Sequence, residues 1–168
     1  MPEKEIKEFM AQFCREPELF RGNYALHFFL MIYNQMIKQN AALLSKYHIT
    51  GPQFDIIIII KYIGRDHGIT QQELSKRLMV TQSGMARIID RMLNEGFITK
   101  KPCPDDRRYN VIKLSKKGED VFKKAYPKFM NLVSSYTSEI EDVDSLTWNL
   151  GSWLYSIAEK KGKKLKLR

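Results

Sequence analysis

At 168 residues and 19.8 kDa, the chain suits one domain, or one domain with a dimerisation extension. Hydrophobic residues make up 43% and aromatics 11%, which excludes long disorder; no apolar run approaches the roughly 18–20 residues that span a bilayer, so no membrane partner is expected. A net charge of +9 with a pI near 9.5 favours polyanionic partners, nucleic acid before an anionic membrane surface, without choosing between them.

The charged start, Met1 to Ile6, leads into no apolar signal segment. A short helix is expected from about Glu3 to Cys14. After Asn23 comes a long helical run in which Leu26, Phe29, Leu30, Tyr33, Ile37, Leu44 and Tyr47 recur at spacings that make one broad apolar face. Thr50-Gly-Pro-Gln53 is a capping-box pattern with an early proline, and it opens the Ile-rich stretch Phe54 to Ile63. Isoleucine prefers strands, but the cap and the stop at Gly64 favour a buried helix.

Thr70-Gln-Gln-Glu73 is a second capping box, opening a short helix with Leu74 and Leu78. Met79-Val80-Thr81 reads as a turn. A further helix follows with Met85, Ile88, Ile89, Met92 and Leu93 inside, and Gly96 supplies a left-handed stop. Phe97 to Lys101 and Tyr109 to Leu114 read as strands flanking a charged, Pro-rich hairpin loop, residues 102–108. Ser115 caps a helix from Lys116, in which Pro127 should produce a kink or a break. Asp144 or Ser145 starts a last helix.

Between Gly68 and Gly118 stand eleven Lys/Arg against five Asp/Glu, so most of the excess charge lies in this middle stretch. The last nine residues hold six cations and no anion, a pattern that fits a solvated tail or a nucleic-acid arm. The order helix, turn, helix, hairpin describes a winged helix-turn-helix. A helix fits the major groove of B-DNA, and the second helix of such a pair is the usual reader. Its first turns would present Thr81, Gln82, Ser83 and Arg87, side chains able to bond adenine, guanine or phosphate. Gly84 would let the backbone approach DNA closely. At the hairpin tip, Arg107 or Arg108 can enter a narrow minor groove, with Asp106 fixing a guanidinium rotamer. Lys100, Lys101 and Lys113 can take flanking phosphates.

Three segments, Glu73 to Leu78, Thr81 to Ile98 and Asp106 to Ser115, resemble the MarR family of transcription regulators. The family's wing signature, D-x-R, five residues, then L-T, is matched by Asp106, Arg108 and Leu114, with Ser115 in place of Thr. The resemblance extends to Thr50-Gly-Pro-Gln-Phe54 and the flanking helices. It implies a mainly α (α+β) fold and an obligate homodimer. Residues 1–49 and 116–168 would form the helical dimerisation region, and residues 50–115 the winged helix-turn-helix. It places Gln82, Ser83 and Arg87 on recognition-helix positions, Arg108 on the minor-groove arginine and Asp106 on its orienting partner. Pro127 and the long segment before Asn23 depart from the family pattern.

The function this implies is a cytoplasmic, dimeric regulator, a repressor, that reads a pseudo-palindrome on double-stranded DNA and is released by a small-molecule effector or thiol oxidation. The alternative is a winged-helix protein-interaction module, which would not need a basic reading helix and wing. Neither a nucleophile–base pair, a phosphate loop nor a metal cluster is visible, so no enzyme, cofactor or metal is expected. Taken alone, Arg87 and Arg91 would read as solvated helix charges; the wing beside them favours DNA contact for Arg87. Cys14 and Cys103 form no CxxC and suit a reducing compartment. In relatives that sense oxidants the thiol lies nearer the positions of Tyr24 and Ala25, so Cys14 is expected to be inert, while Cys103 is expected to be exposed. His27, His48 and His67 lack metal-ligand spacing. Tyr24, Phe28, Phe29, Phe54 and Tyr62 are either core or the lining of an effector pocket such as the family uses.

Overall fold

A computed structural model of the chain describes residues 3–13, 21–103 and 109–160. Cys14, the hairpin-tip residues Asp106, Arg107 and Arg108, and the basic tail beyond Lys160 lie outside them. Among the described residues no helix is long and apolar enough to cross a membrane. The chain divides into two units, residues 1–42 and 43–168.

In the first unit, α1 spans Glu3–Phe13, and α2, Arg21–Ser45, runs on into the second unit. The apolar face of α2 expected from its spacing is present but mostly uncovered. Leu26, Phe29, Leu30, Tyr33 and Ile37 are exposed. Leu44, near the helix end, is instead buried in the core of the second unit.

The second unit contains α3 (Gly51–Ile59), a π-helical turn (Ile60–Gly64), β1 (Ile69–Thr70), α4 (Gln71–Arg77), α5 (Gln82–Asn94), β2 (Ile98–Pro102), β3 (Asn110–Leu114), α6 (Lys116–Thr137) and α7 (Val143–Lys160). The Ile-rich stretch is helical. Ile56, Ile57 and Ile60 are buried, and Ile58 and Ile59 pack half-buried against the same core. Burial on several sides outweighs the strand preference of isoleucine. At its end the helix widens by one residue: the Arg65 N–H donates to the Ile60 carbonyl at 2.9 Å, five residues back.

The sheet order is β1-β3-β2, all antiparallel, with Ile69 opposite Ile112 and Lys100 opposite Ile112 from the other side. The strand β1 is an addition to the two strands expected. With two residues it is too short to show any periodicity. The core joins Phe54, Ile56, Ile57, Leu74, Met85, Ile89, Met92, Phe97, Ile112 and Phe122, so α3, α4, α5, the sheet and α6 share one interior.

Two helix expectations are corrected. α6 runs through Pro127 from Lys116 to Thr137 without a break. Phe122, Ala125 and Phe129 on either side of the proline pack on the core, and this outweighs one missing amide donor. α7 starts at Val143 rather than at Asp144 or Ser145, and Asp142 Oδ1 caps it by accepting from the Ser145 N–H at 2.8 Å.

Candidate nucleic-acid interface

Each helix of the α4–α5 pair starts on a hydroxyl. Thr70 Oγ1 accepts from the Glu73 N–H at 3.2 Å and Thr81 Oγ1 from the Gly84 N–H at 3.1 Å. The Thr70–Glu73 box is only half closed, because the Glu73 carboxylate takes Arg77 Nη2 at 3.0 Å. Between α4 and α5 the chain reverses at Met79, which has a φ of 53°. The turn is closed by Ser75, a buried residue that the sequence reading passed over. Its Oγ donates to the Val80 carbonyl at 3.0 Å, and the Val80 N–H donates to the Ser75 carbonyl at 3.1 Å.

That turn fixes which face of α5 is free. Met85, Ile89 and Met92 are buried at helical spacing. Thr81, Gln82, Ser83 and Arg87 are exposed, as are Asp90, Arg91 and Asn94. Ser83, Arg87, Asp90 and Asn94 follow one another at i, i+4, i+7 and i+11 and so form one stripe. Among the described residues no partner holds the Arg87 guanidinium. Arg91, by contrast, is engaged: its Nε donates to Glu95 Oε1 at 2.9 Å. Gly84 is explained internally. A Cβ there would lie 3.0 Å from Val80 Cγ1 and 3.1 Å from the capping Thr81 Oγ1, so the lack of a side chain lets the cap fit.

The far end of α5 is tied down from two sides. Glu95 Oε2 accepts from the buried Gln53 Nε2 at 2.7 Å, and the Glu95 carbonyl accepts from Lys117 Nζ at 2.7 Å. The Arg91 hydrogen bond holds the Glu95 carboxyl below the usual glutamate range; the Gln53 bond and the charges of Arg91 and Lys117 add to this, against partial burial. Nothing in the local sequence pairs residue 53 with residue 95, and Gln53 was legible only as a cap.

On the hairpin, Lys100 and Lys101 of β2 are exposed with no partner among the described residues. Lys113 is corrected: its ammonium donates to the Asp66 backbone carbonyl, so it braces the loop before β1 instead of standing free. Cys103, just after the end of β2, is half-buried, less open than expected, and its N–H donates to the Tyr109 carbonyl at 2.8 Å. Phe54 is fully buried, with its ring edge-on to Phe129 at 5.3 Å, which makes it core and not pocket lining. Tyr62 packs at the surface against Phe122 and Tyr126. Among the described residues no group of His, Cys, Asp or Glu is placed to hold a metal.

The MarR family model matches residues 49–109, which run from just before α3 to the residue preceding β3. An HTH-type transcriptional regulator of Bacillus cereus is 28% identical over 130 residues, covering 76% of this chain and 84% of the relative. The S. aureus MepR–DNA complex superposes with a TM-score of 0.71 at 20% identity, over 77% of this chain and 94% of that one. A mutant of E. coli MarR complexed with operator DNA gives a TM-score of 0.69 at 25% identity, over 82% of this chain and 99% of that one. The capped helix pair, the hairpin and these matches together show that the chain carries a MarR-family winged helix-turn-helix region over residues 49–109.

Proposed function

We propose that two copies of this chain read a pseudo-palindromic operator on double-stranded DNA, each placing the first turns of α5 in the major groove. In this reading Gln82, Ser83 and Arg87 address base edges, and Thr81 sits beside a phosphate. The hairpin carries Arg107 and Arg108 into the minor groove with Asp106 orienting a guanidinium, and Lys100 takes a flanking phosphate. The observation that carries it is the state of α5: Gln82, Ser83 and Arg87 are exposed on a helix whose opposite face is locked in the core, and Arg87 has no partner among the described residues. Two relatives solved on DNA support DNA over a protein-interaction module.

The uncovered apolar face of α2 supports a homodimer, because such a face in a soluble chain needs a partner. Residues 1–49 and 116–168 would supply the dimerisation region and residues 50–115 the reading head. Two reading helices about 34–36 Å apart meet successive major grooves. A small ligand, or oxidation of a thiol, that alters this separation weakens both half-sites together, which makes the protein a releasable repressor. The protein acts in the cytoplasm, by binding and without catalysis.

Selection of bound sequences from random duplex DNA tests the reading, with a symmetric site as the expected product. If about eight phosphates are neutralised, log affinity falls with log salt at a slope near −7. A slope near zero, or selection without a consensus, rejects it.

A further inference from the structure

The Gln53 side chain is nearly fully buried, 2% exposed, and its two ends do different things. Oε1 accepts from the Thr50 N–H at 2.9 Å and from Thr50 Oγ1 at 3.1 Å, which closes the start of α3. That capping task needs only the oxygen. The nitrogen reaches across to α5 and donates to Glu95 Oε2 at 2.7 Å, while the other Glu95 oxygen takes Arg91 Nε at 2.9 Å. Lys117 Nζ, from the first turn of α6, holds the Glu95 backbone carbonyl at 2.7 Å. The last turn of α5 is therefore fixed to α3 through one amide and to α6 through one ammonium.

A lever follows from helix geometry. Ser83 lies twelve residues from Glu95, about 18 Å along the axis. A tilt of about 5° at the Glu95 end moves the first turn by about 1.5 Å, which is enough to break a directional hydrogen bond to a base edge. An apolar side chain of the same volume would fill the space at Gln53 without fixing the angle, because packing contacts are not directional.

We propose that Gln53 is a positioning residue for DNA reading: its buried amide, acting through Glu95, sets the angle at which α5 presents Gln82, Ser83 and Arg87. This rests on the DNA-reading function proposed above. Gln53 touches no base itself. Contacts to phosphate tolerate a small tilt far better than contacts to base edges do, so the role predicts a loss of sequence discrimination rather than a uniform loss of affinity.

The test compares affinity for the selected operator with affinity for an unrelated duplex of equal length, by fluorescence anisotropy at one salt concentration. The full chain is used at a temperature where circular dichroism shows each variant folded. Gln53→Glu keeps the acceptor for Thr50 but sets a second carboxylate against Glu95; the operator-to-unrelated ratio is expected to fall about tenfold. The double variant Gln53→Glu/Glu95→Gln restores the bond with donor and acceptor exchanged, and is expected to recover the ratio to within about threefold. Gln53→Met, which keeps the length and loses both bonds, serves if the single glutamate variant does not fold; it is expected to lose discrimination similarly. An unchanged ratio in a folded variant overturns the proposal. So does an equal fall on both duplexes without rescue in the double variant, the mark of a purely structural residue. If the wild-type chain itself prefers no sequence, the reading function fails, and the proposal with it.

Discussion

Gly118 lies so close to the carbonyl oxygen of Phe97 that a Cβ on the glycine would fall far inside van der Waals contact with it. The contact keys the first turn of α6 into the junction between α5 and β2. Around it, the Ser115 N–H donates to the Phe97 carbonyl at 3.0 Å, Ser115 Oγ donates to the Gly96 carbonyl at 2.6 Å, and the same oxygen accepts from the Gly118 N–H at 3.1 Å. Lys117 Nζ stands 4.4 Å from the centroid of the Phe97 ring. The obstacle to a side chain at Gly118 is backbone, which cannot rotate aside. Gly118→Ala is therefore expected to cost about 3 kcal/mol, read as a lower urea midpoint. A loss below about 1 kcal/mol would show that α6 can slide away from the hairpin.

The turn between α4 and α5 stores strain at Met79, whose φ of 53° lies in the left-handed region. A β-branched residue is excluded from that region more strongly than methionine. Met79→Val is expected to destabilise the fold by about 1–2 kcal/mol, whereas Met79→Gly is expected to be neutral or stabilising. Equal melting temperatures for the two variants would contradict this account of the turn.

Arg87 is exposed and makes no described contact within the chain, so its loss should spare the fold. Arg87→Ala is expected to weaken operator binding by about 1–3 kcal/mol with an unchanged melting temperature. Arg108→Ala is expected to do the same by way of the minor groove. Gel-shift titration checks both, and the double variant should leave a heparin column at lower salt. Unchanged operator affinity in Arg108→Ala would remove the hairpin from the reading surface.

The Glu95 carboxyl is held below its ordinary value of 4.5, first by the Arg91 hydrogen bond and then by Gln53 and the nearby cations. A lowered folded value means that ionised Glu95 stabilises the fold at neutral pH. That contribution is complete above the unfolded value and is lost as pH falls through the folded one. Thermal melts from pH 7 down to pH 3 should show a smaller acid loss in Glu95→Gln than in the wild type. Parallel curves would mean that the carboxylate gains nothing from its partners.

If the open face of α2 is a dimer contact, a charge there should separate the copies. Leu30→Lys replaces an exposed apolar side chain, 46% accessible in the single chain. It is expected to sediment as a monomer and to lose about a hundredfold or more in affinity for a symmetric operator, since each half-site then binds alone. A dimer of normal operator affinity would place the interface elsewhere.

Local chemistry was well marked along the chain. Thr70, Thr81 and Ser115 cap their helices because a hydroxyl three residues from an amide needs no distant partner. The buried spacing Met85, Ile89, Met92 was equally plain, and with it the outward side of α5. Signals that depend on competition were weaker. The Ile-rich stretch could be placed in a helix only by its cap, and Pro127 suggested an interruption that packing by Phe122, Ala125 and Phe129 overrides.

By itself, then, the order of residues determined the helix-turn-helix and hairpin, the basic middle of the chain and the side of α5 that faces outward, because caps and periodicity act over three to seven positions. Only the tertiary structure decided that Ser75 closes the turn on Val80, that Lys113 braces Asp66, that Gln53 holds Glu95 and that Gly118 must lack a side chain against Phe97. The last three join residues that are distant in the chain and leave no periodic trace in it. Gln53 meets Glu95 because folding brings a buried amide to a partner that water can no longer supply, Lys113 reaches Asp66 because the fold sets their segments side by side, and close packing leaves no room for one extra carbon at Gly118.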